Sequence, residues 1–113
     1  MSIAQVTIYE KPFEEVLRRI ETRTARVGVV GLGYVGLPLV LLFSGERFMV
    51  TGFDVDERKV DTLNRGESYI VRIEPTEIGS ARQAGFAATA DFSRVSEMDV
   101  VIICVPTPLD EYH

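Results

Sequence analysis

The sequence contains little cysteine and histidine, and this shortage excludes two kinds of protein. Its 113 residues include a single cysteine, Cys104, so no disulfide can form within the chain, and a reducing compartment fits this composition. The one histidine, His113, has no neighbour in the sequence that would give it a role. We therefore expect neither a disulfide scaffold nor a metal site.

Basic charge and long apolar runs are scarce as well. Twelve Lys and Arg against 17 Asp and Glu give a formal net charge of -5, and the scattered basic residues disfavour nucleic acid as a partner. The longest strongly apolar run, residues 37–43, is far shorter than the roughly 20 residues that span a bilayer. The first residues also lack the pattern of a signal peptide. We expect a cytoplasmic protein with no membrane partner.

An amphipathic helix is predicted at the start of the chain. Phe13, Val16, Leu17 and Ile20 follow helical spacing within residues 10–22, and charges of both signs cover the other faces. We expect this helix to pack on the domain or on a second subunit. Residues 1–24 are accordingly interpreted as a helix and linker, and residues 25–113 as the main domain.

The main domain alternates between predicted strands and helices. Strands are predicted at residues 27–30, 48–53, 86–89 and 100–105, and helices at about 34–45, 56–65 and 75–85. Such alternation indicates an α/β fold with a doubly wound parallel sheet. An unfinished sheet of this kind exposes an apolar edge, so we expect self-association into a homo-oligomer.

A glycine-rich turn, Gly-Leu-Gly-Tyr-Val-Gly at residues 31–36, joins the first predicted strand to the next helix. Three glycines alone are weak evidence, but here they follow an apolar strand and open a helix, as in a Rossmann dinucleotide-binding unit. Gly31 would permit the tight turn, Gly33 the approach of a pyrophosphate, and Gly36 close contact between helix and strand. Tyr34 and Val35 would contribute backbone N–H groups at the positive end of the helix. A turn that binds no ligand is the alternative.

An acidic residue, Asp54, ends the next strand about 20 residues further on. Its carboxylate would accept hydrogen bonds from the adenine ribose and repel the 2′-phosphate of NADP, so NAD is the predicted cofactor. Arg58 and Lys59 lie one turn away and leave NADP open, although both also fit a solvated helix face. Cys104 lies within an apolar strand, where a thiol usually behaves as a small apolar side chain.

Four motifs in this order resemble those of the UDP-glucose/GDP-mannose dehydrogenase family. They are Gly-Leu-Gly-Tyr-Val-Gly-Leu-Pro at 31–38, Gly-Phe-Asp-Val-Asp at 52–56, Asn-Arg-Gly-Glu-Ser-Tyr-Ile at 64–70 and Cys-Val-Pro-Thr-Pro-Leu at 104–109. The resemblance covers roughly residues 14–113 and is strongest to the bacterial branch that acts on UDP-N-acetylhexosamines.

The resemblance implies an NAD-dependent enzyme that oxidises the C6 alcohol of a UDP-sugar to a carboxylate by two hydride transfers. It implies cofactor contacts from the backbone of residues 33–36, from Asp54 and Lys59, and from Val105 and Thr107 beside the cofactor. The family's catalytic cysteine, lysine and aspartate lie beyond this segment, and Cys104 does not match that cysteine. We therefore expect no catalytic residue in this chain, which we interpret as an N-terminal portion that is inactive alone.

One departure from the family concerns the residues after Ile70. Many relatives carry an acidic residue there, whereas this chain has Val71 and Arg72, which leaves the identity of the sugar open. Two other kinds of protein with a similar glycine turn remain as alternatives. One is a non-enzymatic, NAD-sensing regulatory module, and the other is a β-hydroxyacid dehydrogenase, which usually has methionine at the position of Val35.

Overall fold

The computed structural model describes residues 2–8 and 13–106, which form a five-stranded sheet with flanking helices. The strands are β1 (Ser2–Ile8), β2 (Arg26–Val30), β3 (Met49–Phe53), β4 (Ala87–Thr89) and β5 (Val100–Pro106). They lie in the order β1-β5-β2-β3-β4; β2, β3, β4 and β5 are parallel, and β1 is antiparallel to β5. The parallel part grows outward from β2 in both directions, which confirms the predicted doubly wound, Rossmann-type sheet.

In the described part of the chain, four α-helices flank the sheet, and two of them begin at acidic capping residues. They are α1 (Phe13–Glu21), α2 (Gly36–Gly45), α3 (Glu57–Asn64) and α4 (Pro75–Gln83), with a 3-10 helix at Phe92–Glu97. Asp56 caps α3, because its side chain accepts a hydrogen bond from the N–H of Arg58. Glu74 and Glu77 form a capping box at the start of α4. Of the helix predicted over residues 10–22, residues 10–12 lie outside the described part.

The main core lies on one face of the sheet. Val27 and Val29 of β2 point to this face, where they belong to the same buried cluster as Leu37 and Val40 of α2. Val16 joins α1 to this cluster and is 1% exposed. A smaller cluster on the opposite face, formed by Phe53, Met98 and Val101, is buried beneath the segment around the 3-10 helix. Both faces of the parallel strands are therefore covered where the glycine turn leaves β2.

Strand β1 was not predicted from the sequence. Its residues pair with β5 along its whole length, from Ser2 opposite Pro106 to Ile8 opposite Val100. This pairing covers the edge of β5 that faces away from β2. The predicted homo-oligomer stays a prediction.

Candidate dinucleotide-binding site

The glycine turn leads directly from β2 into the first turn of α2. Gly31 has a φ of +95°, and a Cβ added there would lie 1.9 Å from the carbonyl oxygen of Cys104. A Cβ on Gly36 would lie 1.6 Å from the carbonyl oxygen of Gly31. The protein's own backbone therefore requires glycine at both positions, for the tight turn and the close approach predicted from the sequence.

Gly33 differs from the other two glycines of the turn. A Cβ added there would meet no atom of the described chain within 4 Å. Its φ is not among the positive values found in the chain, so alanine would fit both the space and the backbone. Because the fold itself does not need glycine at this position, the space beside Gly33 is available to a ligand.

The start of α2 offers unsatisfied donors next to that space. Val35 occupies the N-cap position, has no side-chain capping bond, and no acidic residue stands in the first turn. The first N–H groups of any helix lack acceptors within the helix, and the helix dipole adds about half a positive charge at this end. Together these features make the turn a site for an anion, such as the pyrophosphate of a dinucleotide.

Asp54 lies beside the turn at the carboxyl end of β3. One carboxylate oxygen accepts the N–H of Leu32 at 2.9 Å, and the other accepts the N–H of Asp56 at 2.9 Å. The carboxyl group is only partly buried. Each oxygen holds one backbone donor and has the capacity for another, so Asp54 can both fix the turn and bind hydroxyl groups of a ligand.

A cleft of about 620 Å³ opens over the carboxyl ends of β2, β3 and β5. Seven predicted site residues line it: Gly31, Gly33, Tyr34, Val35, Gly36, Asp54 and Lys59. Two others are not placed there, since the side chain of Val105 and all of Thr107 lie outside the described part of the structure. The predicted residues that the structure describes thus meet in one cleft, where open parallel sheets bind ligands.

Further residues of the cleft were not predicted from the sequence. Val55 and Phe92 line it as well, and each follows the carboxyl end of a strand, β3 or β4. That position is the signal that could have found them, since loops at this edge converge on the site. Tyr69 lines an adjoining cavity of about 370 Å³ with Lys59, whose Nζ lies 5.6 Å from the centre of the tyrosine ring.

Cys104 also lines the cleft, but it does not have the environment of a nucleophile. The residue is 5% exposed, and burial raises the pKa of its thiol above the ordinary value. A thiol in such surroundings stays protonated at neutral pH and packs as an apolar group. Within residues 2–8 and 13–106, three or more His, Cys, Asp or Glu side chains nowhere gather to hold a metal ion. The same residues form no helix long and apolar enough to cross a membrane.

Comparison with known proteins agrees with this geometry. Residues 25–113 match the model of the UDP-glucose/GDP-mannose dehydrogenase family, NAD binding domain. The chain belongs to this family. The match favours the nucleotide-sugar dehydrogenase interpretation over the regulatory module and the β-hydroxyacid dehydrogenase considered above, and it makes NAD the cofactor of the domain.

Individual members of the family are similar over the same part of the chain. The UDP-N-acetyl-D-glucosamine 6-dehydrogenase of Pseudomonas aeruginosa is 37% identical over 87 residues, which are 77% of this chain and 20% of that protein. The UDP-N-acetyl-D-mannosamine dehydrogenase of Escherichia coli K12 is 37% identical over 89 residues, which are 79% of this chain and 21% of that protein. The chain spans about a fifth of the length of these relatives.

Solved structures of family members share the fold. The GDP-mannose dehydrogenase of Pseudomonas aeruginosa superposes with a TM-score of 0.63 at 30% identity, over 77% of this chain and 21% of that one. The NDP-N-acetyl-D-galactosaminuronic acid dehydrogenase of Methanosarcina mazei superposes with a TM-score of 0.58 at 34% identity, over 74% of this chain and 20% of that one. The Rossmann-type assignment thus holds in both sequence and structure.

Proposed function

We propose that this chain binds NAD in the cleft over the glycine turn. The N–H groups of residues 33–36 hold the pyrophosphate, Asp54 accepts the adenine ribose hydroxyls, and Lys59 lies near the adenosine. Val105 and Thr107 would also contact the cofactor, as the resemblance to the family implies. The open space at Gly33 is the observation that carries the proposal, because the fold accommodates a side chain there and only a ligand would be obstructed by one.

The similarity to known dehydrogenases also supports a proposal for the activity that this domain serves. We propose that the domain serves a dehydrogenase that oxidises the C6 alcohol of a UDP-sugar, in particular a UDP-N-acetylhexosamine, to the uronic acid. The support is the similarity to the UDP-N-acetyl-D-glucosamine and UDP-N-acetyl-D-mannosamine enzymes. NAD supplies the hydride acceptor in each of the two oxidation steps. The residues of this chain would bind and orient it.

Two further properties stay predictions. A cytoplasmic location rests on the lone cysteine and the composition of the sequence. Self-association has one supporting feature in the structure, since Phe13, Leu17 and Ile20 of α1 are each more than a third exposed. Their side chains offer an apolar surface on the outside of the domain.

A pair of glycine substitutions tests the binding proposal. In Gly33→Ala the added methyl group fits the protein but occupies the space of the pyrophosphate, so we expect the affinity for NAD to fall about tenfold or more. Stability should change little, because no atom of the described chain lies within 4 Å of the new group. Titration calorimetry with NAD and urea denaturation measure the two quantities.

Gly79→Ala is the matched control. Gly79 lies within α4, and a Cβ there also meets no atom within 4 Å. The substitution should stabilise the helix by about 0.5–1 kcal/mol and leave NAD affinity unchanged. Equal NAD affinity in the wild type and Gly33→Ala would place the cofactor elsewhere and refute the proposed site.

A further inference from the structure

The loop between α3 and α4 reaches across to the glycine turn. Within this loop the hydroxyl group of Tyr69 donates a hydrogen bond to the carbonyl oxygen of Leu32. The N–H of Leu32 itself donates to the carboxylate of Asp54 at 2.9 Å. Leu32 is therefore held from both sides of its backbone, and its own side chain is fully buried. A turn of six residues is fixed at its second position by two distant segments.

The bond from Tyr69 also determines where the next N–H points. The carbonyl of Leu32 and the N–H of Gly33 belong to one planar, trans peptide group, in which they point in opposite directions. A hydroxyl group bound to that carbonyl therefore directs the N–H of Gly33 away from Tyr69. This N–H belongs to the set that the proposed function assigns to the pyrophosphate.

The ring of Tyr69 makes a second contact with the site. The Nζ atom of Lys59 lies 5.6 Å from the ring centre, within the range of a cation–π interaction. Gly33, Tyr34, Lys59 and Tyr69 together line the adjoining cavity. One side chain thus contacts both the glycine turn, through its hydroxyl, and the basic residue of the site, through its ring.

Tyr69 is itself held in place and kept protonated. The hydroxyl group of Ser68 accepts the N–H of Ile70 at 3.2 Å and donates to the carbonyl of Ile70 at 3.0 Å, so the two neighbours of Tyr69 are bonded to each other. Burial, together with the negative charges of Asp54 and Asp56, raises the pKa of Tyr69 well above its ordinary value. The hydroxyl group remains a hydrogen-bond donor throughout the neutral pH range.

Tyr69 belongs to the motif at residues 64–70, and the first residue of this motif, Asn64, makes hydrogen bonds of its own. Asn64 bonds the backbone of Ala88 in both directions, donating to its carbonyl at 2.9 Å and accepting its N–H at 2.9 Å. These bonds attach the end of α3 to β4. The segment from Asn64 to Ile70 is thus hydrogen-bonded to β4 through Asn64 and to the glycine turn through Tyr69.

We infer that Tyr69 is a positioning residue for the cofactor: its hydroxyl orients the peptide between Leu32 and Gly33 toward the pyrophosphate, and its ring places Lys59. This inference rests on the proposed binding of NAD. It gives the motif at residues 64–70 a task that needs no contact between Tyr69 and the cofactor.

The test separates the hydroxyl from the ring. Tyr69→Phe removes the bond to Leu32 and keeps the ring under Lys59, so NAD and ADP should bind about three- to tenfold more weakly, while adenosine, which lacks the pyrophosphate, binds as before. In Tyr69→Leu the ring is lost as well, and Lys59→Met should then cost less affinity than it does in the wild type. Titration calorimetry with the three ligands measures each effect.

Thr22→Val is the matched control. Thr22 also donates a hydroxyl proton to a backbone carbonyl, that of Arg18 at 2.9 Å, but on an exposed turn that forms no part of the cleft. Its loss should leave the affinity for all three ligands unchanged. A merely structural role of Tyr69 would weaken adenosine and ADP by the same factor, and this outcome would overturn the inference.

The outcomes also separate the inference from the proposed function. Failure of the wild type to bind NAD would defeat both, whereas full NAD affinity in Tyr69→Phe would defeat only the role of Tyr69. If Tyr69→Phe does not fold, nuclear magnetic resonance spectroscopy of the isotope-labelled wild type tests the inference instead. ADP should then shift the Gly33 amide signal at saturation while adenosine leaves it unchanged, and equal shifts with the two ligands would refute the inference.

Discussion

Two aspartates at opposite ends of the sheet each accept a hydrogen bond from a backbone N–H, but their roles differ. Asp54 follows β3 at the carboxyl end and accepts the N–H of Leu32 at 2.9 Å. Asp99 precedes β5 at the amino end and accepts the N–H of Arg26 at 2.7 Å. Asp99 is 0% exposed, whereas Asp54 is partly exposed and faces the cleft. Accessibility, rather than the bond itself, distinguishes a structural carboxylate from one that can bind a ligand.

The surroundings of Asp99 show why it belongs to the fold. Both of its carboxylate oxygens lie 3.4 Å from a guanidinium nitrogen of Arg19, and its N–H donates to the carbonyl of Arg26. A buried charge needs such partners, because desolvation without them costs several kcal/mol. The pair connects α1 to the start of β2 and β5. At the other end, the donors to Asp54 are the N–H of Leu32 in the glycine turn and the N–H of Asp56, and the partly exposed carboxylate lines the cleft.

The largest effect should come from removing the buried carboxylate. In Asp99→Ala the N–H of Arg26 loses its acceptor, and Arg19 loses Asp99 while it keeps Glu15 as an acidic partner, so we expect the free energy of unfolding to fall by about 2–4 kcal/mol. Arg19 is itself 38% exposed and regains water, which keeps the loss below that of a fully buried pair. Urea denaturation measures the loss, and NAD affinity of the folded protein should be unchanged.

Asp61→Ala provides the control for that substitution. Asp61 is exposed on α3, where alanine is at least as good a helix former, so its loss should have little effect. A reduction in NAD affinity by Asp99→Ala would contradict the contrast between the two aspartates. It would mean that a buried residue at the amino end of the sheet affects ligand binding in the cleft at the carboxyl end.

For Asp54, at the carboxyl end of β3, we expect the opposite pattern, in which NAD affinity changes more than stability. Asp54→Asn keeps an acceptor for the turn but loses the charge, so NAD affinity should fall about tenfold and the free energy of unfolding by only about 1 kcal/mol. Discrimination against NADP should shrink too, because the repulsion of the 2′-phosphate disappears. Calorimetry with NAD and NADP on the wild type and the variant measures both. An unchanged ratio of the two affinities would assign the selectivity to another group.

The open end of the sheet was largely predictable from the sequence because its signals are local. The strand, the glycine turn and the helix adjoin one another, and Asp54 ends the very next strand. Each prediction needed only the spacing of neighbouring residues and the rule that parallel strands bind ligands at their carboxyl ends. The structure placed Gly31, Gly33, Gly36 and Asp54 in one cleft as the pattern implied.

The remaining features depend on contacts between distant segments, which periodicity does not reveal. Strand β1 pairs with β5 at the other end of the described chain, Ser2 opposite Pro106. Asp99 is hydrogen-bonded to Arg19, which lies 80 positions away in the sequence, and Tyr69 to Leu32, which lies 37 positions away. A tyrosine in a loop and an aspartate before a strand look like ordinary polar residues in the sequence. Only the folded chain shows which backbone groups they hold.

The smallest effect concerns the acid that follows Asp54. Asp56 caps α3 by accepting the N–H of Arg58 at 3.0 Å, and this bond, helped by the charge of Arg58, lowers the pKa of Asp56 below its ordinary value of 3.8. Its contribution to stability is therefore complete above that value and is lost as the pH falls through the lower pKa of the folded state. In Asp56→Asn the cap remains but does not titrate. The wild type should thus lose stability relative to Asp56→Asn between pH 5 and pH 3, measured by urea denaturation, with no change between pH 7 and pH 5. A stability difference between the two proteins that is independent of pH would mean that folding does not lower the pKa of Asp56, and this result would contradict the prediction.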